Sequence, residues 1–140
     1  MKVVDLYRYP VKSFTPERLD RVEVNGGKVQ GDRVLGFRFA DQGTPDDWAW
    51  RRKINFISLS NTPAMALIDL SYDDHTRTLR LNYEGEMFAE GSIDSKRDRL
   101  DLSEALGEYV TSLDINPLVD QPERVPLNLI GDGRQGLFHD

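Results

Sequence analysis

Leu6-Tyr7-Arg8-Tyr9-Pro10-Val11-Lys12-Ser13 is the stretch on which the fold turns. The β-branched and aromatic residues of 2–9 predict a strand, and Pro10, which has no amide proton for a ladder, stops it. Downstream, 19–24 alternates apolar and polar residues before Asn25-Gly26-Gly27, where positive φ is tolerated, so the start reads β-turn-β. Gly31-Asp32-Arg33 then marks a tight turn. Beyond it Leu35, Phe37 and Phe39 share one face of a third strand, with Gly36 and Arg38 on the other, until Asp41-Gln42-Gly43 ends the run.

The same punctuation continues. A further hairpin is expected after residue 43, with 45–48 as loop and 54–59 as strand, interrupted at Asn61-Thr62-Pro63. Short strands are predicted at 65–72, 79–83 and 87–89, a spacing that suits a barrel or sandwich. Leu102, Ala105, Leu106, Tyr109, Val110 and Leu113 recur every three or four residues and form one helical stripe. Asp101 is the expected cap of that helix, with Glu104 completing a capping box. A last strand is expected within 124–130. The fold class is therefore mainly β (α+β): a small β-barrel-like antiparallel sheet with one amphipathic helix near 101–113, in a single domain over 1–140. No internal repeat, low-complexity segment or linker is visible.

At 140 residues and 16.0 kDa, one domain is expected, burying roughly 68–70% of its unfolded surface. With 39% hydrophobic and 30% charged residues, the sequence is neither disorder-like nor membrane-like. Met1-Lys2-Val3-Val4-Asp5 lacks the apolar stretch of a secretory signal, so the expected location is cytoplasmic. A chain without cysteine has no disulfide, thiolate metal site or cysteine nucleophile. Net charge of −6 and a pI near 4.9 argue against nucleic acid or anionic membrane as partners. The basic run Arg51-Arg52-Lys53 reads as a solvated strand edge.

Most candidate chemistry has a plainer explanation. Gly131-Asp132-Gly133-Arg134-Gln135-Gly136 fits a dinucleotide-binding spacing, but a following helix is missing and a turn explains it better. His75 and His139, the two histidines, carry no metal-ligand spacing, so no metal site is expected. Asp73-Asp74-His75 and Asp46-Asp47 sit where short acids bond local backbone. No serine lies in a nucleophile elbow, and no catalytic residue is nominated. What remains is Tyr9-Pro10-Val11-Lys12-Ser13 followed by Gly31-Asp32-Arg33; taken by themselves they read as a strand end with a lysine and a tight turn.

Those two strings, with Phe37 behind the second, resemble the start of the MOSC (molybdenum cofactor sulfurase C-terminal) N-terminal β-barrel domain. Ile57-Ser58-Leu59, the helix through Ala105 and Leu113, and Leu137-Phe138-His139-Asp140 resemble later parts of the same region. The family includes the mitochondrial amidoxime-reducing component and bacterial reductases of N-hydroxylated compounds, which hold a molybdopterin-type molybdenum cofactor. The resemblance implies that Lys12, Ser13 and Arg33 contact the anionic pterin and phosphate groups, with Arg51, or Arg52 beside it, as a further cofactor-binding position. A compact ammonium, a planar guanidinium fork and a short hydroxyl donor suit such a ligand. It also implies that residues from about 124 to 140 lead into a MOSC core, whose cysteine binds molybdenum and which this sequence lacks. Cofactor binding is therefore expected only with a complete core, and the chain alone is not expected to be an active oxidoreductase. The expected partners are that core or a partner chain and an electron-donor protein or domain. The alternative is a stand-alone, non-enzymatic binding or interaction module. Without a core, the 127–129 region is expected to favour self-association.

Overall fold

The computed structural model describes residues 6–21, 24–25, 28–48 and 52–135. Strand β1 (Leu6–Arg8) pairs antiparallel with β2 (Glu17–Leu19), Leu6 opposite Leu19. Strands β3 (Val24–Asn25) and β4 (Lys28–Val29) form a second antiparallel pair. Strand β5 (Gly36–Arg38) reaches across most of the sequence to β9 (Asn128–Ile130), with Phe37 opposite Leu129. Strands β6 (Ile68–Asp73), β7 (Thr78–Tyr83) and β8 (Glu86–Ser92) make an antiparallel meander. Helix α1 (Lys96–Thr111) packs on β8 and β9. The result is a mainly β, barrel-like α+β fold with short antiparallel sheets around one main core. Among the described residues, no helix is long and apolar enough to cross a membrane.

The meander follows from simple alternation. Ile68, Leu70 and Tyr72 are buried, and Leu81 and Leu79 stand opposite Leu70 and Tyr72 on the same inward face. Burying each such leucine contributes roughly 1.5–3 kcal/mol. Asp73 closes the first turn, its Oδ1 accepting from the amides of His75 and Thr76 at 2.9 and 3.1 Å. Those bonds hold its carboxyl below the ordinary carboxylate value. Glu84 and Gly85, both at positive φ, form the two-residue second turn, whose backbone twist matches that of the flanking strands.

Several sequence expectations need correction. The helix starts at Lys96, capped by Ser95, whose Oγ accepts from the Asp98 amide at 3.1 Å. Its first turn is polar, so the apolar stripe disclosed only the part from Leu102 onward; Asp101 lies inside the helix. The predicted stripe is otherwise correct, with Leu102, Leu106 and Val110 buried. The segment 54–59 is not a strand: it holds a short 3-10 turn (Lys53–Asn55) and a lone bridge from Phe56 to Arg38. Among the described residues, the ladder partner of β5 is β9 rather than a following hairpin strand. Residues Pro63–Leu67 are a 3-10 turn leading into β6, and the ladder partner of β1 is Glu17–Leu19 rather than 19–24. Leu127 and Leu129 are interior, 2% and 4% exposed. Nor does Arg52 lie on a strand edge, since it precedes the 3-10 turn.

Candidate anion-binding site

Two loops, far apart in sequence, are laid side by side by main-chain bonds. The Arg33 amide donates to the Tyr9 carbonyl at 2.5 Å, the amides of Val34 and Leu35 both donate to the Pro10 carbonyl at 3.0 Å, and Lys12 returns a bond to Leu35 at 2.7 Å. Val11 and Leu35 form a parallel bridge, and both are fully buried, so burial of the apolar residues fixes the register of the polar ones. Asp32 adds a side-chain tie, its Oδ1 accepting from the Tyr9 amide at 2.7 Å.

Ser13 and Arg33 both occupy the left-handed region, with φ of 58° and 50°. Such backbone costs of order 1–3 kcal/mol per residue and persists where surrounding contacts over-determine it. Here those contacts are the Arg33 bond to Tyr9 and a bond from the Leu59 amide to the Ser13 carbonyl at 3.0 Å.

The three side chains differ in access. Lys12 has no exposed surface, and its ammonium stands 5.6 Å from the centroid of the Phe56 ring, a cation–π contact that partly offsets desolvation. Phe56 also explains Gly36: a Cβ there would lie 2.9 Å from the Phe56 ring. Ser13 is nearly buried, at 6%. Arg33 is the accessible member, its side chain 33% exposed, stacked 5.0 Å from the Tyr9 ring centroid and paired with Asp32 at 2.6 Å. Arg51, the fourth predicted position, lies outside the described residues.

Arg8 supports this region and was missed as a functional position, although it stands inside the quoted motif. Its Nε meets Glu17 at 2.9 Å, its Nη1 meets Asp74 at 3.2 Å and the Gln30 carbonyl at 3.0 Å, and its Nη2 donates to the Tyr72 carbonyl. The guanidinium lies so close to Gly31 that any side chain there would overlap it. Only a residue without Cβ fits, and with φ of +78° glycine is doubly required. Asp74, read from sequence as a turn residue, is thus also a long-range partner. No spacing signal announces a pairing between residues this distant; a basic residue in a strand is the only hint.

Among the described residues, no group of three or more His, Cys, Asp or Glu is arranged to hold a metal ion. His75 is exposed in its turn, and His139 and the stretch from Gly136 onward lie outside the described residues. Asp132 closes the glycine-rich segment locally, its Oδ1 accepting from the Arg134 and Gln135 amides at 2.9 and 2.7 Å, in agreement with a turn.

Comparison with known proteins gives one match: the family model of the MOSC N-terminal beta barrel domain covers residues 1–116. No curated protein and no solved structure matches the chain.

Proposed function

The chain belongs to the MOSC N-terminal β-barrel family, and from that premise we propose that it is the cofactor-facing portion of a molybdenum-cofactor-dependent oxidoreductase. In this reading Lys12, Ser13 and Arg33 receive the anionic pterin and phosphate end of a molybdopterin-type cofactor, and Arg51 extends the set. The observation that supports it is the main-chain pairing of the two loops, which sets the segments carrying Lys12, Ser13 and Arg33 side by side.

Each residue has a distinct part. Arg33 offers a fork for two parallel bonds to a phosphate, once its guanidinium exchanges the Asp32 carboxylate for the ligand. Ser13 offers a hydroxyl held in place by its unusual backbone. Lys12, fully enclosed, acts first as a fixed cation whose field is weakly screened in the low-dielectric interior. Charge-assisted bonds of this kind contribute roughly 1.5–3 kcal/mol each. The cofactor, when bound, supplies the redox chemistry. A chain without cysteine offers molybdenum no thiolate, and soft ligands are what such a metal favours. A MOSC core, in the same polypeptide or as a partner, and an electron donor are therefore part of the proposal.

Calorimetric titration of the chain joined to a MOSC core, with molybdopterin-type cofactor and with inorganic phosphate at two salt concentrations, tests this. Saturable, salt-weakened binding that falls at least tenfold in Arg33→Ala and further in Lys12→Ala/Arg33→Ala is expected. Cofactor binding indifferent to Arg33→Ala would overturn the assignment. Absence of binding by that folded protein would favour the non-enzymatic interaction module.

A further inference from the structure

A cavity of about 470 Å³ opens beside the first turns of α1, and we propose that it is a binding site for a small carboxylate with an aromatic or apolar body. None of its lining residues is Lys12, Ser13 or Arg33, so the proposal stands apart from the cofactor reading. Its volume falls within the range of small-ligand sites, roughly 300–1,000 Å³. Trp48, Leu100, Leu127 and Leu129 supply apolar wall. Two guanidiniums, those of Arg77 and Arg99, line it as well.

Both arginines are incompletely satisfied in ways a carboxylate would remedy. Arg99 spends its donors on neutral oxygens alone: Nη1 on Leu129 at 2.9 Å, Nη2 on Gly131 at 2.6 Å and Nε on the Ile93 carbonyl. Its guanidinium also faces the Trp48 ring, 4.8 Å from the centroid. Burial first, and the neighbouring Arg77 charge second, push its pKa below the ordinary arginine value, against the smaller opposing influence of Asp94, Tyr72 and Asp132. Arg77 gives Nε to both oxygens of Asp94 at 3.0 and 2.8 Å and Nη2 to the Asp132 carbonyl. Its Nη1 is buried with no acceptor, an arrangement that an incoming oxygen would relieve.

The acids around the cavity do not cancel this demand. Asp94 is occupied by Arg77, and Asp132 turns an oxygen to the backbone amides of Arg134 and Gln135. Asp46 and Lys96 are both exposed and opposite in charge. Asp132 keeps its charge while bonding the Arg134 and Gln135 amides and, like Asp94, acts on the half-buried Arg99 through space; what Arg99 lacks is a carboxylate oxygen in direct contact, since its bonds end on backbone carbonyls. A ligand carboxylate offsets the Arg99 charge and offers an oxygen to Arg77, while its apolar body covers the leucines and Trp48. A neutral amide of the same shape supplies an acceptor but no charge.

The test uses 2-naphthoate and its carboxamide as probes for the full chain, following the Trp48 indole N–H, which donates to the Pro45 carbonyl at 3.0 Å, by NMR. Naphthoate is expected to shift that resonance saturably, and the carboxamide to bind at least tenfold more weakly. Arg99→Gln should abolish the preference; because its three carbonyl bonds also hold the fold together, Leu100→Glu serves beside it. Leu100 is 45% exposed, so this variant is expected to fold, and because it removes apolar wall from both probes but adds negative charge against only one, it should weaken naphthoate at least fivefold more than it weakens the carboxamide. No saturable shift, equal affinity for the two probes, or naphthoate binding unaffected by Leu100→Glu would each overturn the proposal.

Discussion

Tyr9 and Asp32 hold one another from two directions: the Tyr9 amide donates to the Asp32 carboxylate at 2.7 Å, while the Tyr9 carbonyl accepts from the residue after Asp32 at 2.5 Å. The same carboxylate reaches Arg33 at 2.6 Å. One acid therefore both ties the two loops together and pairs with Arg33, the arginine proposed to meet an anion.

These two duties separate by mutation. Asp32→Asn keeps an oxygen for the Tyr9 amide but withdraws the charge from Arg33, so stability should fall by less than about 1 kcal/mol while phosphate binding strengthens. Asp32→Ala leaves the amide without its acceptor and should cost about 1–3 kcal/mol. Urea midpoints with phosphate titration check both; equal destabilisation by the two variants would show that the amide bond is not the important one.

Gly31→Ala should be among the most damaging single-methyl additions. Its left-handed backbone costs alanine roughly 1–2 kcal/mol, and the new methyl displaces an Arg8 guanidinium bonded to Glu17 and Asp74. Thermal unfolding should shift downward strongly. Arg8→Ala combined with Gly31→Ala should be less than additive, because the clash disappears along with the guanidinium.

Ser95→Ala removes the cap of α1 and should cost about 1 kcal/mol, within the usual range for such losses. Asp101→Ala, at the position that the apolar stripe alone marks as the cap, loses only an exposed pairing with Arg97 at 3.4 Å and should change stability by less than about 0.5 kcal/mol. Chemical denaturation of the two variants decides between the boundaries.

Asp94 gives a pH dependence with a defined sign. Bonds from Arg77 hold its carboxyl below the ordinary value of 3.8, so the unfolded chain protonates it first. Its contribution is fully present above that ordinary value and is lost as pH falls through the lowered folded one. Asp94→Asn should thus be less stable than the parent at pH 7, with the gap in urea midpoint narrowing at pH 3. The side chain is 61% exposed, so the gap should be small and shrink in high salt. A gap independent of pH would rule out the ionic origin.

Legibility in the sequence followed the range of the interactions. Period-two alternation located β7 and much of β6, because each face meets a uniform environment. The helix was found by its buried stripe and misplaced at its start, where Lys96, Arg97 and Asp98 carry no apolar signal. Residues 54–59 have strand composition but receive only a single bridge at Phe56, so tertiary pairing overrode propensity. Both faces of β5 are enclosed, Phe37 on one side and Arg38 on the other being fully buried, and an arginine in a strand gives no warning of that. Its carbonyl partners at Thr44 and Asp47 come from the loop that folds over it. The Lys12, Ser13 and Arg33 grouping was visible only through family resemblance; Arg8, Asp74 and the cavity beside α1 depend on contacts between distant segments.

The β5–β9 ladder also bears on synthesis. One edge of residues 36–38 meets the segment around Phe56, but the ladder on the other edge forms only when 128–130 become available, beyond the end of the family match at residue 116. During translation β5 emerges long before β9 and, until then, lacks that strand on its edge, a period in which unpaired strands invite pairing with other chains. A polypeptide stopped at residue 116 would make that exposure permanent, so the unit that folds is longer than the unit recognised by sequence.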